Sequence, residues 1–257
     1  MAALEASIRA RAHPSAKQHL AALGDVRYGN VAQVDFHIHS TWTDGAASVR
    51  AMHEQAEAIG LSAILFSEHA RKTSGDWFPR FADEIRALPA KTCVPLVGVE
   101  TKIDDFDGNV DATDEILTLC DLVMASVHRF PGEQGIVRGM GQFTPAEAED
   151  IEFRLAMAAL DNPAVDILGH PFGMCYRRFG LRPSDDKMRR LIARAAETGV
   201  AFEVNAHYHP DPWQLIAWCQ EAGAPFSLGS NAHDTAAVGR ITRILEGKEE
   251  PWLPSGF

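Results

Sequence analysis

The sequence predicts an α/β protein in which seven parallel strands alternate with helices and close into a (β/α) barrel. Three features point there. From Val34 onward, seven short apolar runs alternate with seven helical patterns. The runs are continuous rather than alternating, as strands buried on both faces are. The chain has 257 residues, 46% hydrophobic and 23% charged, which suits one large α/β domain with a sizeable core. Seven units fit closure, and an open doubly wound sheet is the alternative.

Residues 1–30 stand apart as a helical extension, ahead of a barrel domain over 31–257. Two short helices are expected at 4–11 and 15–23, broken by Pro14 and ended by Gly24. Strands are expected at 34–38, 63–66, 95–99, 122–126, 165–168, 201–204 and 225–228. Helices are expected at 47–59, 78–88, 111–119, 144–160, 185–198, 212–222 and 235–245. Thr144-Pro145-Ala146-Glu147 sets an N-cap, a first-turn proline and a capping-box glutamate in order. Ser184-Asp185-Asp186 opens the next helix with acidic residues suited to the helix dipole.

Composition narrows the function. The formal net charge is −11 and no basic stripe is visible, so general nucleic-acid binding is not expected. Such a charge repels anionic substrates at long range, so a phosphate would need metals or a few arginines nearby. No stretch approaches the roughly 18 apolar residues of a membrane span. Residues 1–12 carry Arg9 and Arg11 but no apolar run, so no secretory signal is expected. Cys93, Cys120, Cys175 and Cys219 are widely spaced, as buried reduced thiols of a cytoplasmic protein would be. No G-x-G-x-x-G or Walker loop follows a strand.

The chemistry lies where the strands end. His37 and His39 close the first run, Ser67-Glu68-His69 the second, and Glu100 the third. His128 follows the fourth and His170 the fifth. Asn205 and His207 follow the sixth, Asn231 and His233 the seventh. In barrels the loops after the strands converge on one face. Residues two apart on a strand share a face, so His37 and His39 can approach one ion together. Neutral imidazole suits zinc, manganese and iron. Glu100 has two oxygens and can bridge two ions, and Asp44 in the first loop offers another oxygen. His53 falls inside a helix, His13 and His19 in the extension, and His209 in a proline-rich loop. These four are expected to be ordinary packing or surface residues.

The ordered segments resemble the PHP family, the polymerase and histidinol phosphatase domains. They are Asp35-Phe36-His37-Ile38-His39-Ser40, Thr43-Asp44-Gly45, Ser67-Glu68-His69, Gly98-Val99-Glu100, Ser126-Val127-His128, Leu168-Gly169-His170-Pro171, Glu203-Val204-Asn205 and Ser230-Asn231-Ala232-His233. The resemblance implies a distorted (β/α)7 TIM-like barrel and phosphate-ester hydrolysis with two or three divalent ions, Zn, Mn or Fe. It implies that His37, His39 and Glu100 bind the first ion, with Asn231 beside them. Glu100, His128 and His170 would bind the second, and Asp44, His69 and His233 the third. Two departures stand out: Asn231 replaces the usual aspartate, and Glu68 replaces a frequent one. Asparagine oxygen can ligate a hard cation, but without the charge.

The leading expectation is hydrolysis of a small phosphorylated substrate by a metal-activated hydroxide. Arg71, Arg129, Arg177 and Arg178 are candidate phosphate contacts, since guanidinium forks match phosphate oxygens. Asn205 is a further substrate-binding candidate. Asp44 or His207 would protonate the leaving group. Trp42, Trp77, Phe130, Phe172 and Tyr176 fall in or near the strand-end loops as loop anchors or pocket walls. Two other readings stay open. One is an amidohydrolase acting on a C–N bond, although no lysine stands at a strand end to serve as a carbamylated bridge, Lys102 lying two residues past Glu100, and the final strand lacks its aspartate. The other is a noncatalytic metal-binding module weakened by Asn231.

Overall fold

The computed structural model describes residues 14–89, 91–131 and 139–251. Seven strands, β1 (Val34–Ile38), β2 (Ala63–Glu68), β3 (Val94–Lys102), β4 (Leu122–Ser126), β5 (Ile167–Gly169), β6 (Ala201–Asn205) and β7 (Phe226–Gly229), form one parallel sheet in sequential order. A doubly wound sheet would reverse that order at a switch point. Here the edges meet instead. The His39 amide donates to the Ala232 carbonyl at 2.8 Å and the Ala232 amide to the His37 carbonyl at 3.1 Å, so the barrel all but closes just past β7. The register of β1 against β2 shifts between Asp35 and Ile38. Such bulges re-aim side chains beside active sites, and this one lies in the stretch that holds His37.

Helices cover the outside: α1 (Pro14–Ala21), α2 (Val49–Ala58), α3 (Phe78–Arg86), α4 (Asp114–Leu119), α5 (Pro145–Leu160), α6 (Gly173–Arg178), α7 (Asp185–Thr198), α8 (Pro212–Ala222) and α9 (Arg240–Leu245). Their starts follow local chemistry. The expected capping box forms at Thr144 and Glu147. The Ser48 and Ser184 side chains accept the Ala51 and Lys187 amides. On α2, Val49, Met52, His53 and Ala56 are buried, the spacing of one helical face. The core between helices and barrel holds Phe36, Phe66, Phe78, Phe81, Phe202 and Phe226.

Three elements depart from expectation. The last helix starts at Arg240 rather than 235, because Gly239 adopts φ +70° and donates its amide to Asp35 at 2.9 Å. Asp35 also accepts the Ser230 amide at 2.9 Å, so one carboxylate ties β1 to the loop after β7; burial pushes it up to about 6. Helix α6 is additional. Its six residues are too few to display a period, and buried Glu152 on α5 holds its start by accepting the Met174 and Cys175 amides at 3.1 and 2.9 Å. The extension has α1 followed by a 3-10 turn over Ala22–Asp25. Its buried Leu23, and a bond from Gln220 of α8 to the Val26 carbonyl at 2.6 Å, fasten it to the barrel. The helix expected at 4–11 lies outside the described residues.

All four cysteines are buried and unpaired in disulfides. Among the described residues, no helix is long and apolar enough to cross a membrane.

Candidate metal centre

Glu100, near the end of β3, is buried and meets five imidazoles. Its Oε1 lies 2.9 Å from His128 Nε2 and 2.8 Å from His170 Nε2. Its Oε2 lies 3.3 Å from His37 Nε2, 3.4 Å from His39 Nε2 and 3.1 Å from His69 Nδ1. Asp44, from the loop after β1, brings its Oδ2 to 3.5 Å from His69 Nε2 and 3.3 Å from His233 Nε2. Asn231 places its Oδ1 3.2 Å from His39 Nε2. All nine residues expected as ligands are therefore gathered at one end of the barrel.

Hydrogen bonding alone does not satisfy this arrangement. The Nε2 atoms of His128 and His170 are 3.3 Å apart, and both face the same Glu100 oxygen. If both donated, their hydrogens would crowd each other. The Nε2 atoms of His37 and His39 stand 3.1 Å apart. His39 Nδ1 and His170 Nδ1 are buried without a hydrogen-bond partner. Lone pairs directed at a shared cation remove the conflicts between the facing Nε2 atoms. Three groups bring ligand atoms within 4.8 Å of one another: His39, Asp44, His69 and His233; His37, His39 and Glu100; and His69, Glu100 and His128. Imidazole nitrogens with carboxylate oxygens suit a divalent transition metal, so the residues fit the ions that the resemblance implies.

A second layer orients the first. Glu203 of β6 is buried and accepts from His37 Nδ1 at 2.8 Å, from the Asn205 amide at 2.7 Å and from the His170 backbone. His37 Nε2 is thereby turned toward Glu100, as a carboxylate behind a metal-ligating histidine commonly arranges. Glu68 of β2 accepts the Ser40 amide at 2.7 Å and the Thr43 hydroxyl, which fixes the loop carrying Asp44. Burial raises the Glu68 carboxyl to about 7, against the pull of those bonds. Burial disfavours charge on His37, but the Glu203 and Glu100 carboxylates hold its pKa well above the ordinary value. Burial and positive His37 push His39 well down.

Neither second-layer glutamate was assigned a role from sequence. The available signal was a glutamate inside an apolar run, since glutamate is almost never fully buried unless paired. Backbone strain marks the same place. His170, Phe172 and Asn231 have φ of 26°, 63° and 53°, and non-glycine residues held there cost on the order of 1–3 kcal/mol each.

A pocket of about 310 Å³ opens over the cluster, and its lining includes Arg71, Lys102, Arg177, Arg178, Met174 and Tyr208. Arg71 and Arg177 thus stand where a substrate contact was expected. Arg177 Nε donates to the His207 carbonyl at 3.0 Å, and its guanidinium lies 5.8 Å from the Tyr208 ring. That ring packs 4.3 Å from the His170 ring. Tyr208 had no part in the sequence reading. Two expected contacts fall elsewhere. Arg129 is ion-paired with Asp104 and lies outside the pocket lining. Asn205 is buried behind His37, its Nδ2 donating to Glu203 and its Oδ1 accepting the His207 backbone amide at 2.9 Å. His207 is also outside the lining.

Of the histidines set aside, His53 bonds the Cys93 carbonyl at 3.0 Å and His209 the Pro171 carbonyl at 3.0 Å, both buried. Phe130, Phe172 and Tyr176 are buried, and Trp42 stacks on Trp77 at 5.8 Å. They act as loop anchors.

A sequential seven-stranded barrel with histidines converging on a shared carboxylate is suited to a metal-dependent hydrolase. Residues 35–207 match the PHP domain, and the chain belongs to that family. It is 33% identical over 231 residues to the "DNA polymerase/3'-5' exonuclease PolX" of Bacillus subtilis, covering 85% of this chain but only 37% of the polymerase. It is 27% identical to a "Probable phosphatase" of Thermoanaerobacter sp., covering 82% of this chain and 79% of that one. A histidinol phosphate phosphatase of Lactococcus lactis, solved with zinc, L-histidinol and phosphate, shares the fold. Its TM-score is 0.61 at 21% identity, covering 85% of this chain and 94% of that chain.

Proposed function

We propose that the protein hydrolyses a small phosphomonoester in a multinuclear site holding two or three divalent ions, Zn, Mn or Fe. The observation that carries this reading is Glu100, whose two oxygens face five imidazoles beneath a pocket with a basic rim. His37, His39, Glu100 and Asn231 would hold a first ion, Glu100, His128 and His170 a second, and Asp44, His69 and His233 a third.

Bound ions would acidify a water and neutralise the phosphoryl oxygens. The chain's own residues do the rest. Glu203 keeps His37 in one tautomer and orientation. Arg71 and Arg177 line the pocket and hold the phosphoryl group by charge-assisted bonds. Of the two expected proton donors, His207 is unprotonated near pH 7, because burial and the charges of Arg177 and Arg240 lower it to about 4. Asp44 lines the pocket, but as a carboxylate that would be held on the third ion it has no proton to give, so water in the pocket would protonate the leaving group. Four buried thiols support a cytoplasmic setting.

The test is phosphate release from phosphomonoesters, with amides and phosphodiesters in parallel, in the presence of Mn²⁺, Zn²⁺ or Fe²⁺. Chelator-sensitive phosphate release is expected. Amide hydrolysis with no phosphate release would overturn the reading.

A further inference from the structure

The pocket carries more positive charge than one phosphoryl group needs. Arg71 stands two residues past His69, in the loop after β2. Lys102 stands two residues past Glu100 on β3, and so shares its face. Arg177 and Arg178 lie on α6, after β5. All four line the pocket. The carboxylates in the same lining are Glu100 and Asp44, and both are turned on imidazoles. Just outside the lining the protein neutralises its cations: Asp104 takes both Lys72, at 2.8 Å, and Arg129. Among the described residues, no carboxylate forms an ion pair with Arg71, Lys102 or Arg178. When ions engage the phosphoryl oxygens, Arg71 and Arg177 suffice for the remainder, and Lys102 and Arg178 are surplus to that group.

We infer, on the phosphomonoesterase reading, that the substrate carries a second anionic group on its leaving-group side, met by Lys102 and Arg178. Its class is a small bisphosphate or a phosphorylated carboxylate. An ammonium-bearing leaving group would sit among like charges, and a neutral one would leave half-buried Lys102 and exposed Arg178 to water alone. A long polyanion fits less well, because the chain as a whole carries −11.

Three phosphomonoesters of similar size separate the cases: 3-phosphoglycerate, glycerol 3-phosphate and phosphoethanolamine, with anionic, neutral and cationic leaving groups. With metal-loaded protein, kcat/KM is expected to fall in that order, by about 10- to 100-fold from first to last, the range of a bond to a charged group. The ratio of the first substrate to the second should drop toward one in Lys102→Gln and in Arg178→Gln, and in the wild type at high salt. Values within roughly threefold across the three esters would overturn the inference. So would a preference for phosphoethanolamine, faster release from a short oligonucleotide end, or a ratio unmoved in both variants. Release from none of these esters by protein with confirmed bound metal would instead remove the phosphomonoesterase reading, and the inference with it.

Discussion

At the N-terminal end of the barrel, Asp121 and Asp166 accept the Val97 and Val123 amides at 2.8 and 2.9 Å, whereas at the C-terminal end Glu100 and Asp44 face imidazole nitrogens. The N-terminal end has the larger cavity, about 380 Å³ against about 310 Å³, and it too is lined by acidic and basic side chains. Those side chains are already committed. Arg194 Nε bonds Asp161 at 2.8 Å, and Lys17 approaches Asp166 at 3.9 Å. What distinguishes a site is therefore neither volume nor acidity. It is polar atoms that converge on a point and that the protein itself does not satisfy.

That contrast can be broken most sharply by one exchange at each end. Glu203→Gln should weaken metal binding by about 10- to 100-fold, as loss of a carboxylate behind a ligating histidine does. Asp166→Asn should leave metal affinity unchanged and cost about 1 kcal/mol of stability, the scale of one hydrogen bond. Titration calorimetry with Zn²⁺ and urea denaturation on both variants check this. Equal effects of the two on metal affinity would erase the distinction.

A smaller effect is expected at Asn231, whose Oδ1 stands 3.2 Å from His39 Nε2. Asn231→Asp places a carboxylate beside His39, where the first ion is proposed, and should tighten metal binding there by about tenfold, since ligand charge count tunes affinity. An unchanged binding isotherm would show that this oxygen is not a ligand.

The mildest prediction concerns pH and the helix bearing Arg177 and Arg178. Burial raises Glu152 from 4.5 to about 7, although the Cys175 and Met174 amides pull the other way. Between those values the folded chain holds a proton that the unfolded chain has lost. This group's contribution therefore favours folding below about pH 4.5 and declines as pH rises toward 7. Melting temperatures of Glu152→Gln should show a flatter decline over that window than the wild type. Parallel curves would refute the assignment.

Much of this was legible in the sequence, for a physical reason. Parallel strands buried on both faces read as continuous apolar runs, and the residues just past them are carried to one face. The first and fourth strands end as expected, and all nine expected ligands meet there. What escaped depended on long-range partners. Glu203 gains its role from His37, 166 residues away in the chain. Arg129 resembles Arg71 in sequence, yet Asp104 draws it aside. Asn205 sits at a strand end but turns inward to Glu203. Helix α6 depends on Glu152 and on a positive φ at Phe172, neither visible in a six-residue stretch.

The central claim is a metal cluster organised around Glu100, and metal content per chain tests it most directly. Wild-type protein saturated with Zn²⁺ or Mn²⁺ and then desalted should retain two or three ions. Glu100→Gln should lose most of that content while keeping a wild-type circular dichroism spectrum, because Glu100 belongs to two of the three ligand groups. A metal-free wild type, or full metal content in a folded Glu100→Gln, would contradict the account.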